Sequence, residues 1–310
     1  RSSIGEVAVF EKQMFNKAQM MIEEQKPNKS TETAILPMQC YVQPFWKHSD
    51  IEIYNESNID TMKRMADNSI DLTVTSPPYD DLRNYNGYSF DFENVAKELF
   101  RVTKQGGVVV WIVNDKTDKG SESLTSFKQA LFFKGIGFNV HDTMIYAKSN
   151  YIPLTHNRYE QQFEYMFVFS KGKPKTFNHL MKENKQVGQI KGGTFRQSKD
   201  EKGARHKDIG VAKESIKPNI WFYNVGMANS TKDKIAFNHS AIFPEQLATD
   251  HIFSWSNEGD VIYDPFGGSG TTCKMAYLSN RKSIMSEISV EYCELSKQRL
   301  SEYLPKGLFA

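Results

Sequence analysis

An α/β architecture, a mostly parallel sheet with helices on both faces, is what the sequence predicts, and three observations predict it. Ile51-Glu52-Ile53-Tyr54, a helical stretch over Ile59 to Ala66 and Ile70-Asp71-Leu72-Thr73-Val74 follow one another as strand, helix and strand, the grammar of a parallel pair. Val108-Val109-Val110-Trp111-Ile112-Val113 is an unbroken apolar run, as expected of a strand covered on both faces. Val261-Ile262-Tyr263-Asp264 ends in an acid and enters Pro265-Phe266-Gly267-Gly268-Ser269-Gly270-Thr271-Thr272, a strand that feeds a helix through a turn open to close approach by a ligand.

Taken in order, residues 6–25 place Val7, Phe10, Met14, Phe15, Ala18, Met21 and Ile22 at near-helical spacing, which predicts an amphipathic helix. Its apolar stripe needs a partner, either its own domain or a second copy of the chain in a homodimer. Pro27 to Thr33 reads as a polar linker. The strand over 70–74 leads into Thr75-Ser76-Pro77-Pro78-Tyr79. The two prolines carry no N–H and have a fixed φ, so the segment is stiff and leaves its carbonyls free to accept. In a parallel sheet such a strand end faces the ligand crevice. Asp80 to Tyr88, which includes Arg83, is polar and aromatic without an apolar period and reads as a surface loop.

A helix is expected over Phe92 to Val102, stopped by Lys104-Gln105-Gly106-Gly107 ahead of the buried strand. Ser126 to Lys134 is helical, and Val140 to Ala147 and Phe163 to Ser170 alternate as closing strands. From Lys171 to about Lys234 bases outnumber acids and glycines interrupt any regular element. Lys191, Arg196, Lys199, Arg205 and Lys207, interleaved with His179, Phe195, His206, Trp221, Phe222 and Tyr223, read as a segment that contacts phosphates; a solvated charged face is the alternative. Order returns at Ala241 to Leu247, with Pro244 in the first turn of a helix running to about Trp255. Beyond the glycine turn come a helix from Lys274 to Ser279, a strand over Ser283 to Ser286 ending at Glu287, and a last helix from Val290 to Tyr303.

The chain has 310 residues, 39% hydrophobic and 25% charged, an ordinary globular composition with room for one large domain and an insertion, or two small domains. Net charge is +2, so a nucleic-acid partner must be met by local clustering of charge. Three cysteines without metal-ligand spacing, no apolar run near the ~18 residues of a membrane span and no signal-peptide core point to a cytoplasmic protein without a membrane partner.

The glycine turn and the acid about 20 residues after its start suit an adenosine-containing ligand, with Glu287 for the ribose hydroxyls. A P-loop is excluded, because Gly270 is followed by Thr271-Thr272-Cys273-Lys274 rather than Lys-Ser/Thr. NAD remains open on geometry, although Phe266 and Ser269 break its usual glycine spacing. Ser76, the carbonyl of Pro77 and the Tyr79 ring suit methylation of an exocyclic amino group. The lone pair of such a nitrogen is delocalised into the base, and two acceptors holding its hydrogens turn it towards an electrophile while Tyr79 stacks on the flipped base. Cytosine-C5 chemistry needs a cysteine nucleophile, and Cys40, Cys273 and Cys293 have no Pro-Cys setting. Nor is there a His/Cys cluster for a zinc deaminase, and no metal is expected.

Together, Thr75-Ser76-Pro77-Pro78-Tyr79 and Asp264 to Thr272 resemble the DNA amino-methyltransferases that use S-adenosylmethionine. The motif order, with a basic segment between, resembles the β class familiar from restriction-modification systems. The resemblance covers about Ile51 to Leu300 and implies a permuted Rossmann-like methyltransferase fold with an inserted, irregular, basic target-recognition region. It divides the chain into an N-terminal helix and linker (1–49), a catalytic half (50–170), the DNA target-recognition insertion (171–236) and a cofactor half (237–310). It implies that Asp264, Pro265 and the turn Phe266, Gly267, Gly268, Ser269 and Gly270 hold the methionine portion of the cofactor, and Glu287 its ribose. The family's adenine-contacting Gly-Asp-Ser falls on Asn55-Glu56-Ser57, with Glu56 as the acid, and its His-Pro-x-x-Phe-Pro stretch on His239 to Pro244, keeping Phe243 and Pro244. Serine ahead of Pro-Pro resembles the cytosine-N4 enzymes more often than the adenine-N6 ones. The expected partner is double-stranded DNA, with Arg83 and the five basic residues above as its contacts. A cognate restriction endonuclease is left open. RNA methylation and a non-catalytic nucleic-acid-binding role are the alternatives.

Overall fold

The computed structural model of the chain describes residues 43–78, 90–150, 158–189, 210–226, 229–239, 242 and 244–304, with the backbone alone at 194–195 and 204–205. The amphipathic helix over 6–25, its linker and the loop with Arg83 lie outside the described residues, as do Tyr79, Phe243, Lys191, Arg196, Lys199 and Lys207.

The elements that build the body are β1 (Trp46–His48), β2 (Ile51–Asn55), α1 (Asn58–Arg64), β3 (Ile70–Thr75), α2 (Phe92–Val102), β4 (Thr103–Val113), α3 (Thr125–Gly135), β5 (Asn139–Lys148), β6 (Phe163–Ser170), β7 (Ile220–Tyr223), α4 (Glu245–Trp255), β8 (Val261–Asp264), α5 (Thr271–Leu278), β9 (Lys282–Glu287) and α6 (Val290–Ser301). The strands form one sheet in the order β1-β2-β9-β8-β3-β4-β6-β5-β7. From β2 to β4 every pairing is parallel, β6 runs antiparallel to both β4 and β5, and β7 lies parallel to β5.

Period-two alternation divides the core between the two faces. Val108, Val110 and Ile112 of β4 pack with Leu247 and Ile252 of α4 and Ala276 of α5. Val109, Trp111 and Val113 point the other way, to Met62 of α1, Leu99 of α2 and Phe133 of α3. Trp111 is fully buried, and its indole N–H donates to Gln129 Oε1 at 2.8 Å, so the largest core side chain keeps its polar atom satisfied. Ile51, Ile53, Met285, Cys293 and Leu300 form a third cluster beneath α6.

The predicted glycine stop after α2 is instead the first part of β4, which follows the helix directly. The Gly106 N–H donates to the Lys171 carbonyl at 2.7 Å, and a Cβ on Gly107 would lie 2.8 Å from Thr103 Cγ2. Lys171, counted in the basic segment, spends its ammonium on the carbonyls of Phe100 and Thr103 and on Asn68 Oδ1, which caps α2. Ile220 to Tyr223 also departs from the irregular reading of 171–236. It forms the edge strand β7, with Trp221 and Tyr223 buried in the core and Phe222 exposed. No described helix is long and apolar enough to cross a membrane.

Candidate active site

The chain leaves β8 towards β9 on one side and leaves β3 towards β4 on the other, so the carboxyl ends of β8 and β3 flank a switch point, where parallel sheets place their ligands. Tyr263 pairs with Thr73 across these neighbouring strands. Thr75 Oγ1 donates to Asp264 Oδ1 at 2.7 Å, and Thr272 Oγ1 donates to the Val74 carbonyl at 3.1 Å. The residue before Ser76 and the residue before the glycine turn are therefore bonded to each other.

The turn is held by its own amides. Phe266 N–H donates to Asp264 Oδ1, Gly267 N–H to the Ser286 carbonyl, Gly268 N–H to Glu287 Oε2 and Gly270 N–H to the Gly267 carbonyl, all within 3.0 Å. Gly268 sits at φ +51, where a Cβ would meet His239 Nε2 at 2.7 Å, and a Cβ on Gly267 would fall 2.3 Å from Met285 Cε. Glycine is thus favoured at Gly268 by its left-handed conformation, while at Gly267 a Cβ would displace the Met285 side chain.

In front of the turn opens a cavity of about 640 Å³, within the range that accepts a cofactor-sized ligand. Its walls include Pro265, Phe266, Gly267, Gly268 and Ser269 at one end, Glu56 and Glu287 beside them, and Ser76, Pro77 and Pro78 in the middle. Asp264, Gly270 and Pro244 do not line it; Asp264 is a brace behind the wall and Pro244 is the N-cap of α4. Arg205 belongs to a two-residue strand, 204–205, paired with 194–195. Cys273 and Cys293 are buried outside the lining, and burial pushes both thiols up, so neither is placed as a nucleophile.

Glu287 ends β9 with its carboxylate accepting from Gly268 N–H at 2.9 Å and Ser289 N–H at 2.8 Å. Burial pushes this carboxyl above its ordinary value, with the Ser289, Gly268 and Ile288 amides pulling the other way. A carboxylate has about four acceptor sites, so the two oxygens keep capacity for hydroxyl donors in the cavity. Exposed Ile288 and the Tyr292 ring, 4.3 Å from the His239 ring, add apolar and aromatic wall on the same side. These residues fit S-adenosylmethionine. Glu56 is held by Arg64 and by Thr61 Oγ1, which donates at 2.7 Å.

Asp264 is buried, and that burial raises its carboxyl from the ordinary 3.8 to about 6 against the hydrogen bonds of Thr75 and Phe266. An acid raised in the folded state binds its proton more tightly there, so folding is penalised progressively as pH climbs from ~4 to ~6 and fully above that. The Asp264→Asn amide oxygen can still accept from Thr75 and Phe266. The variant is expected to melt higher at pH 8, by up to ~3 kcal/mol of stability, and to converge with the wild type near pH 4. A thermal melt series across this range checks it, and a gap that does not narrow at low pH contradicts it.

Two groups of residues escaped the sequence reading. Under the turn, Lys274 and Arg299 meet Asp233 and Glu245 in a buried cluster. Across the cavity from Glu287, Tyr146, Lys148 and Glu164 of β5 and β6 form the far wall. The sole sequence signals were a lysine on an otherwise apolar helix start and an acid within the aromatic run of β6.

The fold and the paired strand ends define a class, and the chain belongs to it: the model of the N6/N4 DNA methylase family matches residues 70–298. It is an S-adenosylmethionine-dependent DNA amino-methyltransferase of the restriction-modification type with the expected α/β methyltransferase fold. In particular it is 59% identical over 245 residues to the orphan methyltransferase M.BamHII of Bacillus amyloliquefaciens, covering 78% of this chain and 92% of that protein. It is 27% identical over 251 residues to the DNA adenine methyltransferase YhdJ of Escherichia coli strain K12, covering 77% and 79%. Among solved structures it resembles the cytosine-N4-specific PvuII DNA methyltransferase, with a TM-score of 0.62 at 19% identity over 86% of this chain and 90% of that one. It also resembles the M1.HpyAVI–SAM complex, with a TM-score of 0.52 at 21% identity over 80% and 99%.

Proposed function

We propose that the protein methylates the exocyclic amino group of a flipped base at a specific site in double-stranded DNA, with cytosine N4 favoured over adenine N6. The observation that carries this reading is the Thr75–Asp264 bond, which ties the segment before Ser76 to the turn of the cofactor end of one cavity. S-adenosylmethionine supplies the electrophilic methyl group. Ser76 Oγ and the Pro77 carbonyl accept the two hydrogens of the amine, which localises the nitrogen lone pair and aims it. Tyr79 stacks on the base, and the amine sheds one proton as its new N–C bond forms. Cytosine is supported by the serine of Ser76-Pro77-Pro78; adenine is the alternative, since a hydroxyl can accept from either base and the relative YhdJ is named for adenine.

The segment with Lys191, Arg196, Lys199, Arg205 and Lys207, together with Arg83, would supply phosphate contacts within a target-recognition region at 171–236. A homodimer and a cognate endonuclease are compatible with this reading. The test is label transfer from radiolabelled S-adenosylmethionine to DNA and RNA, with nucleoside digestion and mapping of the modified site. N4-methylcytosine in duplex DNA is the expected product; label in RNA alone, or in neither polymer, refutes the reading.

Glu287→Gln is expected to weaken S-adenosylmethionine binding by roughly 10- to 100-fold, the size of a charge-assisted hydrogen bond. Titration calorimetry measures it. Unchanged affinity would remove Glu287 from the ribose site.

A further inference from the structure

The far wall of the cavity has a pair of charges to which the cofactor reading above gives no role. Lys148 Nζ lies 2.7 Å from Glu164 Oε1, with the lysine side chain 24% exposed and the glutamate 12%. Both line the cavity that Ser76, Pro77 and Pro78 also line. Tyr146 pairs with Glu164 across β5 and β6, so the Lys148 side chain reaches diagonally inward, over β6 and towards β3. β6 and β3 are separated only by β4, about 10 Å between strand axes. The Tyr146 ring, 3% exposed, lies beneath the ammonium with its centroid 5.9 Å away.

The end of β5 is firmly anchored. The Lys148 N–H donates to the Gln162 carbonyl at 2.8 Å, Gln162 Nε2 donates back to the Lys148 carbonyl at 3.0 Å, and the Asn150 amide bridges both the N–H and the carbonyl of Val225. An ion pair drawn partly out of water gains little stability as such. Glu164 engages one face of an ammonium that has three donors. A donor held at a fixed place opposite two acceptors matches one chemical pattern, an amino group beside a ring nitrogen that carries a lone pair.

We propose that Lys148 hydrogen-bonds the acceptor ring nitrogen next to the exocyclic amine of the target base, and that Glu164 is the positioning residue that aims it. This rests on the amino-methyltransferase reading above. The ring atom is N3 of cytosine or N1 of adenine, which share this edge. A cation at that nitrogen draws electrons away from the amine, so Lys148 acts by placing the ring, and the adjacent Glu164 charge limits the withdrawal.

The test is a cycle of protein variant against base analogue, on the duplex site mapped by the methylation assay. Wild type and Lys148→Met are each titrated with the natural duplex and with one carrying 3-deazacytosine or 1-deazaadenine at the target, in which the ring nitrogen is a C–H. The analogue also weakens the target base pair and so alters the flipping cost in both proteins; loss of the acceptor is expected to weaken wild-type binding about tenfold or more relative to its effect on Lys148→Met. The analogue that produces the effect identifies the base. Glu164→Gln should raise KM for DNA and reduce the analogue effect, with S-adenosylmethionine affinity unchanged in both variants. An equal analogue penalty in wild type and Lys148→Met overturns the proposal while leaving the methyltransferase reading intact; a wild type that methylates no DNA removes both. Should Lys148→Met fail to bind S-adenosylmethionine, Lys148→Leu, which likewise lacks a donor, takes its place in the same cycle.

Discussion

Ser76→Ala is expected to lower the single-turnover methylation rate by roughly 10²- to 10³-fold, the usual cost of losing one oriented hydrogen-bond partner of a transition state, with S-adenosylmethionine affinity within about twofold of wild type. The split follows from position. Ser76 lies beyond the last residue of β3, and Thr75 is fixed to Asp264 at 2.7 Å, so removing the hydroxyl leaves the backbone path to the turn in place. The next two residues, Pro77 and Pro78, have restricted φ and no N–H, and the Pro77 carbonyl remains as one acceptor. One of the two holds on the amine is then lost, and the nitrogen lone pair relaxes into conjugation with the ring. Rapid-quench measurement on the mapped site, beside calorimetry with the cofactor, separates the two effects. Equal turnover in the variant would show that the hydroxyl accepts nothing from the amine; a parallel loss of cofactor affinity would show instead that Ser76 supports the turn.

Much of this arrangement was legible in the chain because each element has a local cause. The apolar face of α2 and its Asp91 cap define its start, and the structure gives Phe92–Val102, the predicted span. The prolines and glycines after Thr75 and Asp264 mark strand ends for steric reasons that do not depend on context. β7 was misread because Trp221 and Tyr223 sit among lysines, and only pairing with β5, more than 70 residues earlier, turns them into core. The strand through Gly106 and Gly107 was missed because glycine normally interrupts strands; here the backbone of Lys173 and the Lys175 side chain approach Gly106 too closely to admit a Cβ. Asp264, expected among the residues that hold the cofactor, also bonds Thr75, a contact visible only once β8 and β3 are neighbours. The Lys148–Glu164 pair likewise depends on the β5–β6 register and has no sequence spacing of its own.

The second large effect concerns the charges under the turn. Arg299 is fully buried, with Nε donating to Asp233 Oδ2 and Nη2 to Glu245 Oε1, both at 2.6 Å, and Nη1 to the Ser269 carbonyl at 2.8 Å and to Thr271 Oγ1 at 3.0 Å. Lys274 donates to the same two acids at 2.8 and 2.6 Å, and Tyr303 donates its hydroxyl to Asp233. Burial pushes the Asp233 carboxyl up, but Lys274, Tyr303 and Arg299 outweigh it and hold it down at about 2. A depressed acid contributes stability above its unfolded value, lost as pH falls from ~4 towards ~2. Arg299→Met leaves two carboxylates facing one ammonium in a dry site, and breaking such a pair typically costs ~3–5 kcal/mol, a fall in Tm on the order of 5–10 °C. Because Arg299 also holds the Ser269 carbonyl, S-adenosylmethionine affinity should fall even well below the melting transition, where the protein is fully folded. The double variant Asp233→Asn with Arg299→Met removes one charge of each sign and should recover part of the lost stability but not the lost affinity, since the turn contact stays broken. Full recovery of both would mean that the cluster acts on the fold alone, and no loss of stability in the single variant would mean that water reaches the site and screens it.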